Sequence, residues 1–246
     1  MIILFIRYYI TSIHGCNMDY YKFCNEIITS EDLDIFKSAV RVLCAASSGA
    51  GKSYLINRLI LNNHFKFDKI FIIGSPNNNI LENDNILKEK IIKLEYFPSI
   101  QEINEYGDNL NKLILLDDVY ITALSNKNVI SYYTHGRHSQ ISPILLSQNL
   151  FAKGKFSRDL ILNCSHIILL RTRDLSQLSI LSRQIYGKGF SNKIPDVYNF
   201  IAKKYKFPHL LIDLTGTVNE KLELRSNIID SEENKFQTAY IYNQNK

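Results

Sequence analysis

No two of the four cysteines (Cys16, Cys24, Cys44 and Cys164) stand in a CxxC pair, and two of them lie inside apolar runs. That scatter speaks against a disulfide framework or a cysteine-built metal site, and is consistent with buried free thiols in a reducing compartment. The sequence also lacks an apolar run of bilayer length. Its first seventeen residues, MIILFIRYYITSIHGCN, are apolar and aromatic but interrupted by Arg7, too short to span a membrane, and without a small-residue cleavage site. Neither secretion nor stable membrane insertion is expected. Met18 opens a more ordinary amphipathic stretch, so translation is expected to start there; an N-terminal strand or a membrane anchor is the rival reading of residues 1–17. There is no Pro/Gly/Ser-rich linker and no repeat of solenoid period. A chain of 246 residues, 46% hydrophobic and 22% charged, therefore predicts one sizeable core rather than two. A net charge of +5 permits contact with a polyanion without requiring it.

Short apolar runs alternate with helical patterns, the signature of a parallel sheet covered on both faces. Strands are predicted at Arg41–Ala46, Lys69–Gly74, Lys112–Asp117, Pro143–Gln148, His166–Arg171 and His209–Leu214. Helices are predicted at Lys52–Asn62, within Ser99–Leu110, and at Asn126–His135, Ser157–Asn163, Leu175–Tyr186 and Asp196–Lys204. The expected layout is an N-terminal extension over 1–38, an α/β domain over 39–216 and a tail over 217–246. From Ser231 the tail turns polar and loses periodicity, and is expected to be disordered or partner-dependent.

The strongest local signal is Ala46-Ser47-Ser48-Gly49-Ala50-Gly51-Lys52-Ser53, directly after a strand pattern and directly before a helical one. In a Walker A loop, small residues let the backbone curl round phosphates so that N–H groups and a helix N-terminus face the anion. Lys52 would reach the β- and γ-phosphates of a nucleotide, and Ser53 would hold Mg²⁺. Ala46 replaces the usual first glycine, which is harmless at negative φ and straining at positive φ. A second signal is Lys112-Leu113-Ile114-Leu115-Leu116-Asp117-Asp118, a buried-type strand ending in two carboxylates. Asp117 would hold a water of the Mg²⁺ shell, and Asp118 would orient or deprotonate the attacking water where glutamate is usual. Third, Pro143-Ile144-Leu145-Leu146-Ser147-Gln148 ends in an amide able to contact both the γ-phosphate and that water. Arg137, between the second and third motifs, can serve as an arginine acting on a neighbouring subunit. His135 and His138 have no cysteine or carboxylate nearby to complete a metal site. Asn126-Lys127-Asn128-Val129 lacks the closing aspartate of a guanine motif, which favours ATP over GTP.

On these motifs, THGRHSQISPILLSQNLF followed by LNCSHIILLRTRDLSQLSILSRQIYG resembles the block after Walker B in the packaging ATPases of large DNA viruses, virophages and polinton-like elements. Those proteins are similar to the FtsK/HerA DNA pumps. The resemblance runs from about Arg41 to about Thr215. It implies an α/β P-loop NTPase fold of the additional-strand (ASCE, RecA-like) type with a mostly parallel central sheet. It also implies ATP and Mg²⁺ as cofactors, a homo-oligomeric ring (pentamer or hexamer), and ATP-driven movement of double-stranded DNA into a preformed capsid through a capsid or portal-vertex partner. The expected location is an infected host cell, in a virus factory of the cytoplasm or nucleus or with the virion. Arg137 matches the position of the family's trans-acting arginine, and Arg171 and Arg173 are rivals for that role. Ala46 for glycine and Asp118 for glutamate are the departures. Two other readings stand beside this one, a P-loop NTPase or kinase acting on a small molecule and a nucleotide-binding assembly factor. For DNA contact, Lys153, Lys155 and Arg158 compete with Lys203, Lys204 and Lys206.

Overall fold

Apolar runs that alternate between two covered faces set the architecture. The computed structural model describes residues 24–28, 35–36, 38–63, 66–74, 81, 83–172, 174–229 and 237–242; residues 1–17, the start expected at Met18, and Arg173 lie outside that range. In chain order come β1 (Cys24–Ile28), β2 (Val42–Ala45), α1 (Lys52–Asn62), β3 (Lys69–Gly74), β4 (Ile91–Leu94) and α2 (Ile100–Asn104). Next are β5 (Lys112–Asp117), α3 (Tyr120–Ala123), α4 (Lys127–Thr134), β6 (Ile141–Ser147), α5 (Ser157–Leu162) and β7 (His166–Leu169). The chain continues through α6 (Leu175–Tyr186), α7 (Lys193–Lys204), β8 (Leu210–Asp213), β9 (Leu224–Ser226) and β10 (Thr238–Tyr242).

These strands form one ten-stranded sheet in the order β1-β10-β9-β8-β7-β2-β6-β5-β3-β4. From β7 to β4 every pairing is parallel, and from β7 to β1 every pairing is antiparallel. The parallel half matches the expectation of an additional-strand P-loop fold, because β6 is inserted between β2 and β5. In β5, Leu113 and Leu115 pack on the α1 side, whereas Ile114 and Leu116 join the core beneath α4, α6 and α7. Burial on both faces explains why β2, β5 and β6 read as unbroken apolar runs.

Helix ends follow local chemistry. Ser99 and Glu102 form a capping box at α2, Asn126 caps α4 and Asp174 caps α6. The helix expected from Asp196 begins at Lys193 instead. Pro195 falls within the first turn, where its missing N–H has no intrahelical partner to lose.

The sheet does not stop at residue 216, as the sequence layout has it. Leu224–Ser226 and Thr238–Tyr242 add two strands, and β10 pairs with β1 from Cys24↔Tyr242 to Ile28↔Thr238. The tail from Ser231 thus carries an ordered strand, with Ala239 and Tyr240 buried. Tyr240 shares a hydrogen bond with the Ser226 hydroxyl and meets Phe200 edge-on at 6.1 Å. A buried ion pair, Arg225 to Asp213 at 2.9 Å, fastens β9 to β8. Local periodicity misses β9 because it is three residues long, and misses β1 and β10 because they pair across more than two hundred residues.

Candidate functional site

The chain leaves β2 at the carboxyl edge of the parallel strands, where open α/β sheets place ligands. Its backbone is pinned on both sides: Ala46 N–H donates to the Ser147 carbonyl at 3.1 Å and Ser47 N–H to the Arg171 carbonyl at 3.1 Å. Gly49 (φ 72°) and Gly51 (φ 89°) take the left-handed turns that close the loop, and a side-chain carbon at either would face open space. What selects glycine there is backbone conformation, not crowding. Ala46 is buried and is not among the described non-glycine residues of positive φ. Alanine therefore sits unstrained at that departure from the usual glycine.

Lys52, the first residue of α1, curls back so that its Nζ donates to the Ala46 carbonyl at 2.9 Å and the Ser47 carbonyl at 3.3 Å. Ser53 Oγ donates to Asp117 Oδ2 at 3.0 Å. Burial pushes the Asp117 carboxyl above its ordinary value and the Asp118 charge adds to this, while the Ser53 hydroxyl and Lys52 oppose it. A buried carboxylate whose charge is opposed by burial and by a neighbouring carboxylate is a group that a divalent cation would stabilise.

Gly74, which sequence reasoning treats only as a strand end, is opposite Asp117 in the β3–β5 register. A Cβ at Gly74, whose φ is 112°, would lie 1.8 Å from the Asp117 carbonyl oxygen. The signal was present, since a glycine closes an otherwise apolar strand, but the register needed to interpret it was not. Gly74→Ala is expected to displace Asp117 by about an ångström and lower turnover by about 10²-fold. Turnover measured at saturating ATP and Mg²⁺ tests this, and a parent-like rate would show that the close approach has no bearing on Asp117.

Asp118 is exposed and has φ 58°, a left-handed conformation that aspartate tolerates better than most residues. Gln148 follows Ser147, which pairs with Ala45, and so stands exposed beside the start of the loop. Behind the loop lies a cavity of roughly 220 Å³ whose lining includes Ala46, Ser47, Gln148, Asn149, Thr172 and Asp174. Sequence reasoning gave Asn149, Thr172 and Asp174 no part, and only the sheet order brings them together.

The structure separates Arg137 from this group. It lies exposed on the 3₁₀ turn Gly136–Ser139, which enters β6 from the opposite edge of the sheet. The seven residues of β6 intervene, placing Arg137 about 25 Å from Gln148 at the usual rise per residue. It has no access to the loop of its own chain. Arg171 is exposed at the same edge as the loop, its carbonyl holding Ser47. His138 accepts from Arg137 Nε at 3.5 Å, and among the described residues no cluster of His, Cys, Asp and Glu could hold a metal ion.

No family model matches the chain, and no curated protein matches it. Among solved structures, it is similar to the genome packaging NTPase B204 from Sulfolobus turreted icosahedral virus 2 in complex with ATPγS. Identity is 17%, the TM-score is 0.50, and the alignment covers 72% of this chain and 93% of that one. B204 described as the DNA-packaging ATPase of Sulfolobus turreted icosahedral virus aligns at 17% identity and a TM-score of 0.48, covering 74% of this chain and 95% of that one. The first likeness shows the fold, a P-loop NTPase with an additional strand.

Proposed function

We propose that the chain is an ATPase that binds ATP with Mg²⁺ and uses hydrolysis to drive double-stranded DNA into a preformed viral or virus-like capsid, as a ring of five or six copies. The observation that carries the reading is the Ser53–Asp117 contact at the carboxyl edge, with the strand that leads to Gln148 inserted between β2, which runs into the loop, and β5, which carries Asp117. The likeness to a protein described as a genome packaging NTPase supports the DNA-moving role. The virus factory is the proposed location, and a capsid or portal-vertex protein the proposed docking partner.

The residues present fit these groups. Loop N–H groups and the N-terminus of α1 would take the β- and γ-phosphate oxygens. Lys52 would exchange its two carbonyl acceptors for phosphate oxygens, gaining charge-assisted bonds. Ser53 and Asp117 offer the hard oxygen donors that Mg²⁺ requires, Asp117 directly or through a water. Bound Mg²⁺ would neutralise charge on the phosphate oxygens during transfer. Asp118 would accept the proton of the attacking water, and the Gln148 amide would orient that water.

Lys52→Ala is expected to weaken ATP binding by about 10²-fold, since two charge-assisted hydrogen bonds disappear. Titration with a fluorescent ATP analogue tests it, and parent-like affinity would remove the loop from nucleotide binding. The wider function is tested by the ATPase rate of the purified protein with and without linear double-stranded DNA, alongside its oligomeric mass. Hydrolysis indifferent to DNA would instead support an enzyme acting on a small molecule.

A further inference from the structure

The segment after Gln148 is fastened at two points. At its start, Leu150 N–H donates to Gln177 Oε1 at 3.2 Å, and Gln177 Nε2 donates to Asp174 Oδ2 at 2.9 Å. Asp174 is itself held, its other oxygen accepting from Ser176 N–H at 3.0 Å and its N–H donating to Thr172 Oγ1 at 3.3 Å. Thr172 N–H reaches the buried Tyr198 hydroxyl at 2.9 Å, which donates to the Leu170 carbonyl at 3.1 Å. At the far end, Phe156 N–H donates to the Leu124 carbonyl at 2.9 Å. Gly154 packs so close that a Cβ there would lie 2.5 Å from the Leu124 Cβ. Leu124 directly follows α3, which itself follows the Asp117–Asp118 pair.

Between and just beyond these fastenings, Lys153, Lys155 and Arg158 are exposed. The competing cluster is less free to grip a polyanion, because Lys204 is paired with Glu26 at 2.7 Å. The basic segment is thus joined covalently to Gln148, through Gln177 to α6, and through Leu124 to the segment behind Asp117. Few side chains suit the Gln177 position. An amide of this length accepts from a backbone N–H while donating to a carboxylate, and the Ser176 hydroxyl and the Gln177 amide hold the Asp174 carboxyl below its ordinary value, so the acceptor is charged.

We propose that Gln177 is a positioning residue that ties the segment after Gln148 to α6, so that a change at Gln148 on meeting the γ-phosphate is passed to Lys153, Lys155 and Arg158 as a grip on DNA backbone phosphates. The inference rests on the packaging-motor reading. Gln177 lines the cavity beside Ala46, Ser47 and Gln148, but its amide is committed to Leu150 N–H and the Asp174 carboxylate, so its loss should leave the chemistry in place and break its response to DNA.

The test compares ATP hydrolysis by the full chain with that of Gln177→Met and of the double variant Asp174→Asn/Gln177→Glu, each with and without linear double-stranded DNA. Methionine keeps the length and removes both hydrogen bonds. Its KM for ATP and its DNA-free kcat are expected to match the parent, while stimulation by DNA falls by about twofold to thirtyfold. The double variant should restore stimulation, since a carboxylate at 177 still accepts from Leu150 N–H and an amide at 174 donates to it. Parent-like stimulation of Gln177→Met, a rise in KM with the stimulation ratio intact, or no rescue by the double variant would each overturn the proposal. A parent chain indifferent to DNA would overturn the packaging reading itself, and this coupling with it.

Discussion

Arg137→Ala is expected to lower DNA-stimulated hydrolysis by about 10³- to 10⁵-fold while leaving ATP affinity unchanged, the scale of an arginine supplied to a neighbour's site. Its place at the edge of the sheet away from the loop means that it has no route to its own nucleotide. Any effect on turnover must then pass to another copy. The turn that presents it is built for a fixed position. Lys112, fully buried at the start of β5, donates through Nζ to the Ser139 carbonyl at 3.3 Å and to Asn104 Oδ1 at 3.2 Å. Lys112 N–H donates to the Gln140 carbonyl at 2.9 Å. Mixing provides the decisive measurement. An Arg137→Ala chain keeps a sound pocket, a Lys52→Ala chain keeps a sound arginine, and mixed rings should hydrolyse ATP although each protein alone does not. Full activity of Arg137→Ala by itself would move the role to Arg171 or Arg173. Mixed oligomers without recovered activity would refute a trans mechanism through Arg137.

Asp118→Asn is expected to bind ATP as the parent does and to hydrolyse it about 10²- to 10⁴-fold more slowly, because an amide cannot take the water's proton. Asparagine is a sharp probe here. It tolerates the left-handed backbone at φ 58° as well as aspartate does, so the substitution changes chemistry without moving the chain. Single-turnover hydrolysis with a parallel binding titration separates the two effects, and a parent-like rate would remove Asp118 from the reaction. The same backbone gives a physical reason for aspartate where glutamate is usual. A longer side chain lacking the short polar group that suits this conformation would gain reach and lose fit, so Asp118→Glu should not exceed the parent rate.

The central parallel strands were legible because they are buried on both faces, which leaves an apolar run in the sequence. Lys69–Gly74 and Lys112–Asp117 appear with the bounds their pattern predicts, and so do Lys52–Asn62 and Leu175–Tyr186. The outer strands were less legible. Leu210–Asp213 falls within a predicted strand, but Ile91–Leu94 at the parallel edge and Leu224–Ser226 in the antiparallel wing have four and three residues, too few to establish a period, and Thr238–Tyr242 is ordered by pairing with Cys24–Ile28, more than two hundred residues away. The motif over 46–53 joins a strand to a helix where the sequence places it, because its residues are contiguous. Asp174 and Gln177 were invisible as partners of the Gln148 segment for the opposite reason, since only the adjacency of β2, β6 and β7 brings them together. Arg137 shows a further limit: a position between two motifs in sequence is no guide to the edge of the sheet on which it emerges.

The β1–β10 pair has a consequence for how the molecule is made. Its register joins residues more than two hundred positions apart, so no ladder can form there until residues 238–242 have left the ribosome. Central strands with nearer partners can collapse earlier, and non-local pairings such as this one close slowly. During synthesis Cys24–Ile28 would wait as an unpaired strand, and the outer side of β9 would remain an open edge. In the ring proposed above, subunits joined before residues 238–242 dock would still carry an uncovered rim on their sheets.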